Sequence, residues 1–150
     1  MLSAIKSFFE ENILASINTG TDKLHASRLA TTALLIEMMR MDDHFHESEE
    51  KVLIGQIKAC FKLSDLETEK LVELASAELK NSTDYFQFTS LINQHFEYSE
   101  KLAIIEALWE VAYADDTLDM DEEYLVRKIS ELIYVSHPDF IAAKLRVKNR

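Results

Sequence analysis

Carboxylates are concentrated in two short segments of the chain, each lying between two apolar stretches. Each segment has two adjacent aspartates followed by a glutamate: Asp42, Asp43 and Glu49 in the first, Asp115, Asp116 and Glu122 in the second. Carboxylates held close together repel one another, and a divalent cation that takes oxygen ligands relieves the repulsion. We therefore predict that these six residues bind a divalent metal ion.

The residue types also narrow the choice of ion. Carboxylates alone suit calcium or magnesium, and adding His44 or His46 extends the choice to manganese or zinc. Neither segment is an EF-hand, because the central glycine and the glutamate at position twelve are missing. Glu37 and Glu110, in the preceding apolar stretches, are candidates to support the ligands.

The same acids have an explanation that needs no metal. Asp119 and Glu122 have the spacing of a capping box, and acids in the first turn of a helix interact favourably with its dipole. Capping does not require Asp42 and Asp115, which precede the turns. Metal binding and helix capping both remain open on these residues.

Composition favours an all-α fold in one domain, residues 1–150. The chain has 2 glycines and 1 proline, too few for the turns of a β-rich protein. Apolar spacing and capping residues predict about seven to eight helices, beginning with an amphipathic helix over 1–18. The others are predicted at about 24–41, 48–61, 65–80, 85–92, 99–114, 120–134 and 138–147.

Local patterns also predict the place of one helix and the ends of several others. The 24–41 helix should be central, because the chain is almost continuously apolar from Leu29 to Met41. Ser64 and Glu67 have the spacing of a capping box for the 65–80 helix. Residues 81–84 can cap the next helix, Ser99 begins the one after it, and Ser136 caps the last.

The two acidic segments belong to an internal repeat. Asp42 aligns with Asp115, 73 positions later, and the same offset pairs Leu35 with Leu108. We place the repeat units at about 24–80 and 98–147. Duplicated helical hairpins usually bury their apolar faces on each other, so we expect a pseudo-two-fold arrangement.

Charge and the remaining motifs argue against several function classes. A net charge of −11 repels nucleic acid and anionic membranes. The single cysteine, Cys60, indicates a buried thiol in a reducing compartment, and we expect a cytoplasmic protein with no membrane insertion. No Glu-x-x-His motif for a di-iron site occurs, and no nucleophile has a base nearby in sequence.

Two stretches, LLIEMMRMDDHFHESEEKVL and ALWEVAYADDTLDMDEEYLVRKISEL, resemble the tellurite resistance protein B (TerB) family, which is related to the amino-terminal domain of DjlA-type co-chaperones. The family pattern is a hydrophobic helix ending in Ala-Asp-Gly, then a hydrophobic residue and a glutamate, occurring twice. Here Asp43 and Asp116 replace the glycine. The resemblance implies an all-helical fold with two pseudo-symmetric hairpins and an acidic, metal-binding surface.

The resemblance also implies a role in tellurite or chemical stress, beside membrane proteins. We therefore expect a non-enzymatic cytoplasmic scaffold that binds a divalent metal ion and a protein partner, in a membrane-associated complex or as a homodimer. The alternative is an acidic protein-interaction module without metal. A metal-dependent hydrolase is a third hypothesis.

Overall fold

Helices make up the fold in the computed structural model. It describes residues 4–20, 22–41, 47–81, 87–114 and 120–150, without the side chains at 40, 41, 47, 49, 75–81 and 120–122. No strand occurs within these ranges. The prediction of an all-α protein is confirmed.

The first helix of the chain, which we call the N-terminal helix, has three consecutive parts. These are α1 (Ala4–Phe9), a π-helical segment (Glu10–Leu14) and α2 (Ala15–Thr19), and the helix ends at Gly20, whose φ is 76°. Seven more helices follow in the described part of the chain, in agreement with the predicted number. They are α3 (Lys23–Met41), α4 (Glu47–Phe61), α5 (Asp65–Asn81), α6 (Gln87–His95), α7 (Tyr98–Ala112), α8 (Met120–Leu132) and α9 (His137–Lys148).

Capping residues explain where several helices begin. The Ser64 hydroxyl accepts a hydrogen bond from the Glu67 amide, and the Glu67 carboxylate accepts one from the Ser64 amide, which forms the predicted capping box. Ser136 caps α9 as predicted. The prediction that Ser99 begins α7 is wrong, because Glu97 is the capping residue and its amide donates to Glu100 at 2.8 Å.

The core is built around α3 and α7, which pack on each other. Every side chain from Leu29 to Met39 is buried, so the prediction of a central helix is confirmed. Trp109 of α7 is fully buried, and its ring centroid lies 5.2 Å from that of Phe140 in α9. Such tightly packed aromatic pairs stabilise a core beyond their buried area.

One hydrogen bond between helices has a counterpart in the other half of the fold. In the first half, His25 Nε2 in α3 lies 2.6 Å from Glu67 Oε2 in α5, and in the second half the Tyr98 hydroxyl in α7 donates to Asp139 Oδ2 in α9 at 2.5 Å. Each contact joins the beginning of the first helix of a half to the first turn of the third. This recurrence follows the spacing of the sequence repeat to within one residue, while the boundaries of the repeat units stay a prediction.

Candidate functional site

None of the six acids predicted to bind metal has a side chain that the structure describes. Glu49 and Glu122 have helical backbones, in α4 and α8, and the four aspartates are outside the described residues. The metal prediction therefore stays a prediction. Within the described ranges, no group of three or more histidine, cysteine or acidic side chains is arranged to hold a metal ion.

The helices on either side of each acidic segment form a hairpin. The first segment joins α3 to α4 and the second joins α7 to α8, and in both cases the two helices pack against each other. Across the repeat, α3 also packs on α8, and α4 packs on α7. Two hairpins thus bury their faces on one another.

The open end of the first hairpin lies against the end of α7. Arg28 Nη2 is 3.7 Å from Glu110 Oε2, and the Arg28 guanidinium is 5.4 Å from the centre of the Phe61 ring. Met41 is thirteen residues beyond Arg28 in α3, which places it about 20 Å further along the helix axis. Leu35, about midway between Arg28 and Met41 in α3, lines a small apolar cavity together with Val111 and Ala112, so the end of α7 lies beside the middle of α3.

Glu37 has a buried carboxylate that serves another helix. Its side chain is 7% exposed and accepts hydrogen bonds from the amides of Phe88 and Thr89, at 3.1 and 3.2 Å, and from the Thr89 hydroxyl at 2.9 Å. These amides belong to the first turn of α6, which otherwise has unsatisfied donors. Glu37 thus fixes the start of a helix fifty residues away in the sequence.

Burial raises the pKa of Glu37 from 4.5 to about 7, because the charged form loses its hydration. The hydrogen bonds from Thr89 and Phe88 act in the opposite direction and offset only part of this effect. A carboxyl group with this pKa changes its charge near neutral pH.

Glu110 is held by two arginines. Arg150 Nη1 lies 2.7 Å from Glu110 Oε1, and Arg28 pairs with the other oxygen of the same carboxylate. Glu106, one turn earlier in α7, pairs with Arg146 and with Arg150, both at 3.2 Å. The basic carboxyl-terminal residues therefore attach α9 to α7. In the described structure, Glu37 and Glu110 contact α6 and the arginines, respectively, and their predicted supporting role at a metal site stays untested.

Cys60 is half-buried at the end of α4, so the expectation of a buried thiol is only partly met. Burial raises the pKa of its thiol, and the negative charge of Glu110 acts in the same direction. A reactive cysteine normally has a lowered pKa. Cys60 therefore has the properties of a structural thiol.

A groove of about 590 Å3 lies between the N-terminal helix and α5. Phe8 and Leu66 supply its large apolar side chains, and Leu66 is 78% exposed. Glu11, Glu69 and Glu73 also line it. Sequence reasoning missed this groove, and the one available signal was the exposed leucine in the first turn of an otherwise acidic helix.

Comparison with known families decides the assignment. The family model described as tellurite resistance protein TerB matches residues 28–145. The chain belongs to the TerB family. No curated protein and no solved structure matches the chain.

The TerB match includes both acidic segments, most of α3 and the whole of α7. The predicted family is therefore confirmed, whereas the relation to DjlA-type co-chaperones stays a prediction. Among the helices that are described for this TerB protein, none combines the length and apolar character needed to cross a bilayer.

Proposed function

We propose that this TerB protein is a non-enzymatic, cytoplasmic scaffold that binds divalent cations at its two acidic segments during the response to tellurite or other chemical stress. The observation that carries the proposal is the family match, which spans both segments and bears the description of a tellurite resistance protein. The ligands would be the six predicted carboxylates. They are Asp42, Asp43, Glu49, Asp115, Asp116 and Glu122.

The sequence repeat gives the proposal a stoichiometry. Because the six carboxylates occur as two repeated sets of three, each acidic segment would hold its own ion. Two ions per chain are therefore expected. Three carboxylates per segment would be completed by water or backbone oxygens, as is usual for calcium and magnesium.

The experiment is a titration of metal-free protein with calcium, magnesium, manganese and zinc, each followed by calorimetry and by thermal unfolding. Specific binding predicts two ions per chain and a rise in melting temperature, since an ion at a hundred times its Kd stabilises the folded state by about 2.7 kcal/mol. Asp42→Asn and Asp115→Asn should each remove one of the two ions. Glu131→Gln, at an exposed acid of α8 outside both segments, is the matched control and should bind both.

The absence of any heat or stabilisation with all four ions would contradict the metal proposal. A stoichiometry of one ion, lost in either aspartate variant, would instead indicate a single shared site. Binding that the Glu131→Gln control weakens equally would indicate general attraction of cations to an acidic protein.

A second candidate function is an acidic protein-interaction module that works without metal. The observation that favours it is the groove beside α5, whose lining includes four glutamates and one lysine. Its partner would be a protein, in a membrane-associated complex or as a second copy of this chain. In this case charge reversal at the binding surface, rather than metal removal, should abolish retention of the partner.

A further inference from the structure

The groove between the N-terminal helix and α5 is lined by both apolar and acidic side chains. Phe8 of α1 is buried at its base, whereas Leu66 of α5 projects into solvent with 78% of its surface exposed. A single exposed leucine is common on protein surfaces. An exposed leucine in the lining of a groove, beside a buried phenylalanine, offers apolar surface that a side chain of another molecule can cover.

Acids outnumber bases in the lining of the groove, which includes four glutamates and a single lysine, Lys70. Among the residues the structure describes, no salt bridge forms to Glu11, Glu69 or Glu73, whereas Glu67 is paired with His25. Glu69 and Glu73 are four residues apart on one helix, where like charges destabilise the helix by a few tenths of a kcal/mol, ~0.2–0.5. A cationic group placed between them would remove this repulsion.

The shape of the groove is set by elements that are held firmly. Phe9, next to Phe8, packs between the rings of His95 and Phe96 at 6.0 and 5.9 Å, which anchors the N-terminal helix to α6. On the opposite wall, the capping box of Ser64 and Glu67 fixes the first turn of α5. The two walls are therefore in place before any ligand arrives, which lowers the cost of binding.

We propose that this groove binds a short segment of a partner protein that presents one large apolar side chain flanked by lysine or arginine residues. The apolar side chain would lie on Phe8 and Leu66, and the flanking cations would lie near Glu11, Glu69 and Glu73. None of these residues is among the six predicted metal ligands. The site is thus independent of metal binding, and the two proposals can fail separately.

The test uses the full chain in the presence of a metal chelator and a defined peptide probe, Lys-Lys-Ala-Leu-Ala-Lys-Lys, followed by amide chemical shifts in two-dimensional NMR. Saturable shifts should be confined to the N-terminal helix and the first turns of α5. Leu66→Gln should weaken binding about tenfold, which corresponds to the loss of one well-packed apolar contact of about 1.4 kcal/mol. The double variant Glu69→Lys, Glu73→Lys should weaken it further and reduce its salt dependence.

Matched controls separate this site from general charge attraction. Leu145→Gln alters a half-exposed leucine of α9, and Glu131→Lys reverses an exposed acid of α8, so both should leave the affinity unchanged. A peptide with glycine in place of leucine should bind weakly to the wild-type protein. Its affinity should be no higher than that of the leucine peptide for the Leu66→Gln variant. Leu66 is exposed and outside the core, so its substitution should leave the melting temperature unaltered.

Three results would overturn the proposal. The first is an absence of shifts, or shifts centred on another surface. The second is equal weakening by the groove variants and the two controls, which would indicate nonspecific attraction. The third is self-association of the free protein in sedimentation equilibrium that Leu66→Gln abolishes, which would make a second copy of this chain the occupant.

Discussion

Glu37 should make the protein lose stability as the pH rises from 5 to 8. Its carboxyl has a pKa of about 7 in the folded protein against 4.5 ordinarily, because it is buried between α3 and α6. The folded state therefore holds a proton that the unfolded chain releases. Its stabilising effect is complete below pH 4.5 and is lost as the pH rises through 7.

The size of the effect follows from the shift in pKa. At about 1.36 kcal/mol per pH unit the full contribution is roughly 3.4 kcal/mol, and roughly 2.5 kcal/mol of it falls between pH 5 and pH 8. In Glu37→Gln the group cannot ionise, so the free energy of unfolding of this variant should gain that amount relative to the wild type over the same interval. Comparing the two proteins at each pH cancels the pH dependence of all other groups.

The assay is urea unfolding followed by circular dichroism at several pH values from 5 to 8, with Glu131→Gln as a control that keeps the wild-type pH dependence. Thr89→Val removes a hydrogen bond that lowers the pKa of Glu37, so it should move the loss of stability to higher pH. Parallel curves for wild type and Glu37→Gln would refute the reasoning. They would mean that the hydrogen bonds from α6 keep the carboxylate ionised throughout.

Two further predictions concern packing and the repeated hydrogen bond. Phe9→Ala should destabilise the protein by about 3–5 kcal/mol in urea unfolding, because it empties a fully buried site between α1 and α6, whereas Leu145→Ala, at a half-exposed position, should cost far less. The Tyr98 hydroxyl holds the pKa of Asp139 below its ordinary value, so Tyr98→Phe should raise that pKa in a carboxyl NMR titration. Tyr134→Phe is the control, because Tyr134 is an exposed tyrosine whose substitution should leave the pKa of Asp139 unchanged. An equal pKa of Asp139 in the two variants would contradict the role of the Tyr98 hydrogen bond.

Local signals account for the parts of the fold that were predicted correctly. The capping box at Ser64 and the cap at Ser136 each involve residues three apart, and the continuous apolar run of α3 identifies a central helix without knowledge of its neighbours. The repeat of acidic segments was also readable, since it needs only a comparison of the chain with itself.

Features that depend on tertiary contacts were not predictable in this way. Residues 81–84 offered a conventional cap for α6, so nothing in the sequence pointed to Glu37, which reaches its first turn from another helix. The groove arises because the N-terminal helix packs beside α5, and no local pattern encodes that contact. For the six proposed ligands the sequence supplies residue types and spacing, while ligand geometry requires the positions of the aspartates between the helices.

The π-helical segment has an evolutionary consequence for the groove. A π turn holds one residue more than the α turn that it replaces, so it commonly records a single-residue insertion. Here Ile5 before the segment and Ile17 after it are both buried, while Glu11 and Asn12 within it line the groove. A relative without the extra residue would keep the same core only by rotating part of this helix, and it would present a different groove wall. The gain or loss of one residue in this helix would therefore change the wall of the groove while leaving the core in place.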